Sequence, residues 1–219
     1  MTGLSFLEQG PAGGGRPEQL VMLIHGYGAN AQDLIDLADL FAPHLPDAHF
    51  IAPNAPDACE VAPIGLQWFS LTDDTLHQRW LGTNAAAPKL NAFIDEQLDR
   101  FDLMDTSLAL VGFSQGTMMA LHVGLRRGVT PAGLLGYSGM LVGGDKLPSE
   151  ITSWPPIRLI HGTLDSVVPI EASRQAHQIL EDQGLTVELV ERPGLDHGID
   201  AEGIREGAEF LVECFNPEP

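Results

Sequence analysis

Ser114 stands in Gly112-Phe113-Ser114-Gln115-Gly116, with a glycine two residues away on either side. A serine hydroxyl in that setting can attack an acyl carbon. The apolar run Ser107 to Val111 precedes it and a helical stretch, Thr117 to Arg126, follows. That stretch stops at Gly128, with Arg126 and Arg127 in the last turn, where cations suit the helix dipole. Strand, tight turn and helix in that order form a nucleophile elbow. The turn leaves no room for flanking side chains, hence the two glycines. The serine oxygen then projects above the sheet beside a helix N-terminus. Ser138, in Gly136-Tyr137-Ser138-Gly139-Met140, lacks the second glycine at that offset and reads as a strand-end serine.

A serine needs a base to take its proton. In a chain with this elbow the order is serine, then acid, then histidine. Of the eight histidines, His122, His161, His177 and His197 follow Ser114. His122 falls on the nucleophile helix, His161 ends an apolar strand, where it holds loop backbone, and His177 sits mid-helix. His197, in Pro193-Gly194-Leu195-Asp196-His197-Gly198, lies in a glycine-flanked loop just past the last strand. It is the expected base. Asp165, in the loop His161 to Pro169 after the penultimate strand, is the expected orienting acid. Its alternative role is capping. Asp196 would have to fold back on its neighbour, Asp200 reads as the start of the last helix, and Asp145 precedes the penultimate strand. Acyl transfer also needs donors for the oxyanion. One is the Gln115 N–H. The other is the Tyr27 N–H, in the loop His25-Gly26-Tyr27-Gly28-Ala29-Asn30 that follows the apolar strand Leu20 to Ile24. That loop lacks the third glycine of a dinucleotide turn and the lysine of a phosphate loop.

Six short apolar runs must carry these residues: Leu20 to Ile24, His49 to Ala52, Ser107 to Val111, Gly133 to Tyr137, Ile157 to Ile160 and Thr186 to Val190. Leu4 to Leu7 is a candidate seventh, at an edge. Most are continuously apolar, as strands buried on both faces are. Helical periodicity over Ala31 to Phe41, Ala92 to Phe101, Glu171 to Glu181 and Glu202 to Cys214, the last ending before Pro217, fills the intervals. Such alternation predicts an α/β fold with a mostly parallel sheet of about seven strands, helices on both faces, and one domain over residues 1–219 without a separate cap. Asn54 to Pro88 breaks the alternation. Its prolines, Gly65 and Gly82 predict an irregular insertion, and Trp68, Phe69 and Leu71 make it a pocket wall.

Bulk properties narrow the function. The formal net charge of −19 repels phosphate backbones and anionic bilayers, so neither nucleic acid nor stable membrane association is expected. Residues Met1 to Arg16 do not read as a secretory leader, and no apolar run reaches the length of a membrane span. Two distant cysteines, Cys59 and Cys214, fit a reducing cytoplasm better than a disulfide framework. No metal or organic cofactor is expected.

Taken together, Leu23-Ile24-His25-Gly26-Tyr27-Gly28, Gln67-Trp68-Phe69, Gly112 to Gly116, Asp165 to Pro169 and Asp196-His197-Gly198 resemble the phospholipase/carboxylesterase family, in order, over about Leu20 to Phe215. The resemblance implies a cap-less α/β-hydrolase with Ser114, Asp165 and His197 as triad and the Tyr27 and Gln115 amides as oxyanion hole. It also implies a homodimer. The sequence departs from the family at Ser70, where an aspartate often follows the Trp-Phe pair. The expected activity is hydrolysis of small-molecule carboxylic esters with short to medium acyl chains. Acyl-protein thioesterase and lysophospholipase activities would use the same residues. A non-catalytic binding protein on a hydrolase scaffold is the alternative from another class, and such proteins usually lack one triad member.

Overall fold

Residues 3–216 are described by a computed structural model. Met1, Thr2 and residues 217–219, among them the Pro217 expected to follow the last helix, lie outside the described residues. The strands are β1 (Phe6–Gln9), β2 (Gln19–Ile24), β3 (Ala48–Pro53), β4 (Asp57–Ala58), β5 (Leu66–Gln67), β6 (Leu108–Phe113), β7 (Gly133–Tyr137), β8 (Ile157–Gly162) and β9 (Val187–Arg192). The helices are α1 (Ala31–Ile35), α2 (Leu37–Phe41), α3 (Leu76–Phe101), α4 (Gln115–Gly124), α5 (Leu147–Glu150), α6 (Glu171–Asp182) and α7 (Ala201–Phe215).

Seven strands form one sheet in the order β1-β3-β2-β6-β7-β8-β9. All pairs are parallel except β1 with β3, where Phe6 stands opposite Pro53 and Gln9 opposite Phe50. Period-two alternation sorts β2 between the two layers of helices. Leu20, Met22 and Ile24 pack with Leu90, Phe93 and Ile94 of α3, with Met118 of α4 and with Leu180 of α6. Val21 and Leu23 pack on the other face, with Leu34 of α1, Phe41 of α2 and Phe210 of α7. The expected edge strand is present but shifted to Phe6–Gln9, Gly133–Tyr137 is found as expected, and the ends of the other strands lie within two residues of their expected positions. The helix expected over Ala31 to Phe41 is interrupted at Asp36, which keeps right-handed helical angles, so direction is preserved while the hydrogen-bond ladder is broken.

The expected irregular segment is shorter than Asn54 to Pro88. Residues 54–75 carry only the β4–β5 ribbon, and α3 begins at Leu76, capped by Thr75, whose side chain accepts the Gln78 N–H at 3.2 Å. Pro88 lies inside this 26-residue helix. Proline lacks the N–H that would bond to Asn84, and it normally ends a helix. Here its ring is exposed, while Ala86, Ala87, Leu90, Phe93 and Ile94 are buried against the sheet and carry the helix across the break.

All ten residues of α4 are buried, His122 among them. Its Nδ1 has no hydrogen-bond partner among the described residues. Burial, with Arg126 nearby, pushes its pKa down from 6.5 to about 3. Between those values the unfolded chain binds a proton that the folded chain does not, so stability falls as pH drops from 6.5 toward 3. The slope from this one group approaches about 1.4 kcal/mol per pH unit. We therefore expect His122→Leu to hold more of its stability than the native protein as urea unfolding is repeated at pH 7, 6 and 5. A difference between the two that stays constant over that range would contradict the assignment.

Candidate active site

The chemistry-bearing residues converge at the C-terminal ends of β2, β6, β8 and β9, where open α/β sheets present their sites. Ser114 joins β6 to α4 with φ 55° and ψ −115°, a conformation rare for a residue bearing a side chain. Strain of that kind costs about 1–3 kcal/mol and persists only where its surroundings fix it. They do: the Ser114 N–H donates to Tyr137 O at 2.9 Å, and the Thr117 hydroxyl contacts both Gly112 O (2.8 Å) and Tyr137 O (2.9 Å). A Cβ at Gly116 would overlap the Ile24 carbonyl, and one at Gly26 would lie 3.2 Å from the Ser114 Cβ. Glycine at these two positions lets α4 and the loop after β2 close onto the serine.

Asp165 is buried in the loop after β8. Its Oδ1 accepts the Val167 and Val168 N–H groups at 2.9 and 2.8 Å, and its Oδ2 accepts His197 Nδ1–H at 2.7 Å. Burial alone would raise its pKa. The hydrogen bond from His197, with those from Val168 and Val167, outweighs burial and holds the pKa below the usual value. The carboxylate therefore accepts, and Nδ1 of His197 carries a proton. The His197 ring lies 4.9 Å from the Phe113 ring, centroid to centroid, beside the residue that precedes Ser114. His161 also approaches Asp165, with Nε2 3.2 Å from Oδ2, but both of its nitrogens are engaged, Nε2 with Val168 O at 2.8 Å and Nδ1 with Ser173 Oγ at 2.7 Å. Its ring is fully enclosed, so it holds the loop and has no free face for a substrate.

The Tyr27 and Gln115 amides stand at the turn after β2 and at the first residue of α4. Among the described residues neither donates to an acceptor within the protein, whereas the neighbouring Gly28 and Ala29 N–H groups bond to Leu66 O and Gly26 O. A free amide at a helix N-terminus suits developing negative charge.

Three supporting side chains were not singled out by the sequence reading. His25 Nε2 accepts the Ala55 N–H at 3.0 Å, so its Nδ1–H donates to Gly26 O at 2.8 Å. Burial pushes its pKa down, which favours this neutral ring. The Gln115 side chain accepts the Trp68 N–H (2.9 Å) and donates to Phe69 O (2.8 Å), stitching the nucleophile turn to residues 68–69. Asp196, adjacent to His197, does not orient the ring. It accepts the Ser166 N–H and hydroxyl and the His197 N–H, tying the Asp165 and His197 loops together. Each of these bonds joins residues at least 30 apart in sequence, apart from those of His25 to Gly26 and Asp196 to His197, so no local pattern announces them. Asp200 is the N-cap of α7, as expected, and accepts the Gly203 N–H. Trp68 and Phe69, expected on a pocket wall, are 2 % and 4 % exposed and sit in the core, with the Trp68 indole N–H donating to His25 O. Leu71 is half-buried against the same core.

Among the described residues no group of three or more histidine, cysteine, aspartate or glutamate side chains is arranged to hold a metal ion. Cys59 and Cys214 are free thiols. No described helix is long and apolar enough to cross a membrane.

A mostly parallel seven-stranded sheet with a strained serine elbow at the end of β6 and a histidine–carboxylate pair beyond β8 and β9 defines an α/β-hydrolase. Residues 11–215 match the family described as Phospholipase/Carboxylesterase, and the chain belongs to that family. It is 27% identical to esterase YpfH of Escherichia coli (strain K12) over 196 residues, 89% of this chain and 82% of that protein. It is 30% identical to an acyl-protein thioesterase 1 of Aspergillus fumigatus over 148 residues, 65% of this chain and 61% of that one. Among solved structures, esterase PE8 superposes with a TM-score of 0.93 at 39% identity, covering 96% of this chain and 99% of that one. Arabidopsis thaliana SOBER1, at 22% identity and a TM-score of 0.81 over 90% of this chain and 98% of that one, shares the fold.

Proposed function

We propose that the protein hydrolyses carboxylic esters through an acyl-enzyme on Ser114, with His197 as base and then acid and Asp165 orienting it. The 2.7 Å contact between His197 Nδ1 and Asp165 Oδ2 carries the proposal, because in the neutral imidazole it places the proton on Nδ1 and so puts the basic lone pair on Nε2, on the side of the ring away from Asp165. Nε2 takes the Ser114 proton as Oγ attacks the acyl carbon. The carbonyl oxygen becomes an oxyanion and receives the Tyr27 and Gln115 N–H groups. The adduct collapses, the C–O bond to the alcohol breaks, and Nε2 returns the proton to the leaving oxygen. Water then attacks the acyl-enzyme, giving one proton to Nε2 as the acid is released and Ser114 regains its hydroxyl hydrogen. No step requires a metal or organic cofactor.

Short to medium acyl chains on small soluble esters fit an open site at the C-terminal ends of the strands. Leu71 retains a part at the pocket in this assignment, while Trp68 and Phe69 hold the site from below. Two free cysteines fit a reducing cytoplasmic compartment. The acyl-protein thioesterase relatives support thioester cleavage by the same residues as a second activity, and turnover on matched ester and thioester pairs separates the two.

A fluorophosphonate, which phosphonylates only an activated serine, tests the core of the proposal. Native protein should be labelled, with the adduct mapping by mass spectrometry to the peptide holding Ser114. Absence of reaction with the native protein would overturn it.

A further inference from the structure

A groove of about 380 Å3 opens beside the site, lined by Ala29, Asp33, Leu34, Leu37, Phe113 and Ile199. Three of these extend catalytic segments. Phe113 precedes Ser114 and packs against the His197 ring, Ile199 lies two residues beyond His197, and Ala29 lies two beyond Tyr27. The lining is apolar except for Asp33, whose Oδ2 accepts the Asn30 N–H at 2.8 Å in the α1 capping box. We propose that this groove binds the alcohol portion of the ester, the group that leaves, and selects neutral apolar alcohols of short to medium length. The assignment rests on the hydrolase reading above.

The stereochemistry of the adduct places the alcohol there. Once Ser114 has attacked, the former carbonyl oxygen occupies the Tyr27 and Gln115 amides. The leaving oxygen must then come within hydrogen-bond reach of His197 Nε2, because that nitrogen returns the proton. Whatever is attached to the leaving oxygen is carried to the histidine side of the site. The groove lies on that side, since the Phe113 ring packs against the His197 ring at 4.9 Å, tilted by 49°, and Ile199 continues its loop. The acyl chain takes the remaining direction from the tetrahedral carbon, away from His197. At about 380 Å3 the groove is near the small end of the ~300–1,000 Å3 range of ligand pockets, which suits a short chain. Asp33 at its wall, on a chain of net charge −19, disfavours alcohols that carry phosphate. The groove thus separates simple alkyl esters from lysophospholipids, which the catalytic residues alone do not.

Two ester series on the native protein test the assignment: acetates of methanol through hexanol, and methyl esters of acetic through hexanoic acid. We expect kcat/KM to rise about two- to threefold per added alcohol methylene over the first three or four carbons, as partial burial of each CH2 implies. Ile199→Trp, which fills the groove, should reduce the whole alcohol series to less than about a twofold spread, leaving the order of the acyl series unchanged. A flat alcohol series with native protein overturns the assignment without need of any variant. Compression of the acyl series instead of the alcohol series in Ile199→Trp also overturns it. Loss of fluorophosphonate labelling at Ser114 would bring down the hydrolase reading itself. Labelling with a flat alcohol series would overturn only the groove.

Discussion

Replacing Ser114 with alanine is expected to lower kcat by about a million-fold, to the level that the amides and binding alone sustain. The substitution removes one oxygen. It also relieves nothing in the elbow, because φ 55° at that position is as unfavourable for alanine as for serine. The fold should therefore survive, with the Ser114-position N–H still bonded to Tyr137 O. Circular dichroism and a urea midpoint close to those of the native protein would establish that the loss is chemical. Burst kinetics with a chromogenic ester should disappear together with turnover. Retention of even a tenth of native kcat in a folded variant would show that another group is the nucleophile.

The second large effect is expected from Asp165→Asn, a fall in kcat of about ten-thousand-fold with little loss of fold. The geometry specifies why. Oδ1 receives two backbone N–H groups, from Val167 and Val168, so the asparagine oxygen is held at that corner. Its NH2 group is then turned toward His197 Nδ1, where Oδ2 now accepts. An NH2 group can only donate, so Nδ1 must give up its proton and Nε2 must carry one. Nε2, the nitrogen away from Asp165, then holds a proton where the proposed mechanism requires a lone pair. The loop keeps its two amide bonds and the protein keeps its shape. Single-turnover acylation at neutral pH checks this, with urea unfolding as the control. A variant acylating within tenfold of the native rate would remove Asp165 from the orienting role.

Much of the architecture could be read from sequence because β2, β3, β6, β7 and β8 are enclosed by helices on both faces and are written as near-continuous apolar runs. The misreading concerned α3. Pro88 marks a boundary in any local rule, and Thr83, Ala86 and Ala87 contribute too little apolar bulk before it to mark a buried face. Only the contact of that face with the sheet makes the helix continuous. Ser114, Asp165 and His197 stood out because each sits in a short motif at a strand end. The side-chain work of His25, Gln115 and Asp196 did not, because Ala55, Trp68 and Ser166 are 30 to 47 residues from the groups they meet. Trp68 and Phe69 suggested a wall from their size, yet size also suits a floor, and their hydrogen bonds decide for the floor.

Gln115 keeps its main-chain N–H without an acceptor among the described residues, as the donor the proposed mechanism calls for, while its side chain grips Trp68 and Phe69. Donor and foundation are thus parts of one residue. A substrate or mutation that shifts residues 68–69 pulls on the amide through the carboxamide, with no loop between to absorb the movement. Variation in that segment should then register in the rate of the chemical step as well as in the tightness of binding. If the groove holds the alcohol, substitutions at Ile199 and Leu37, whose side chains have no hydrogen bond to Gln115 among the described residues, should change specificity more freely than substitutions beneath the serine.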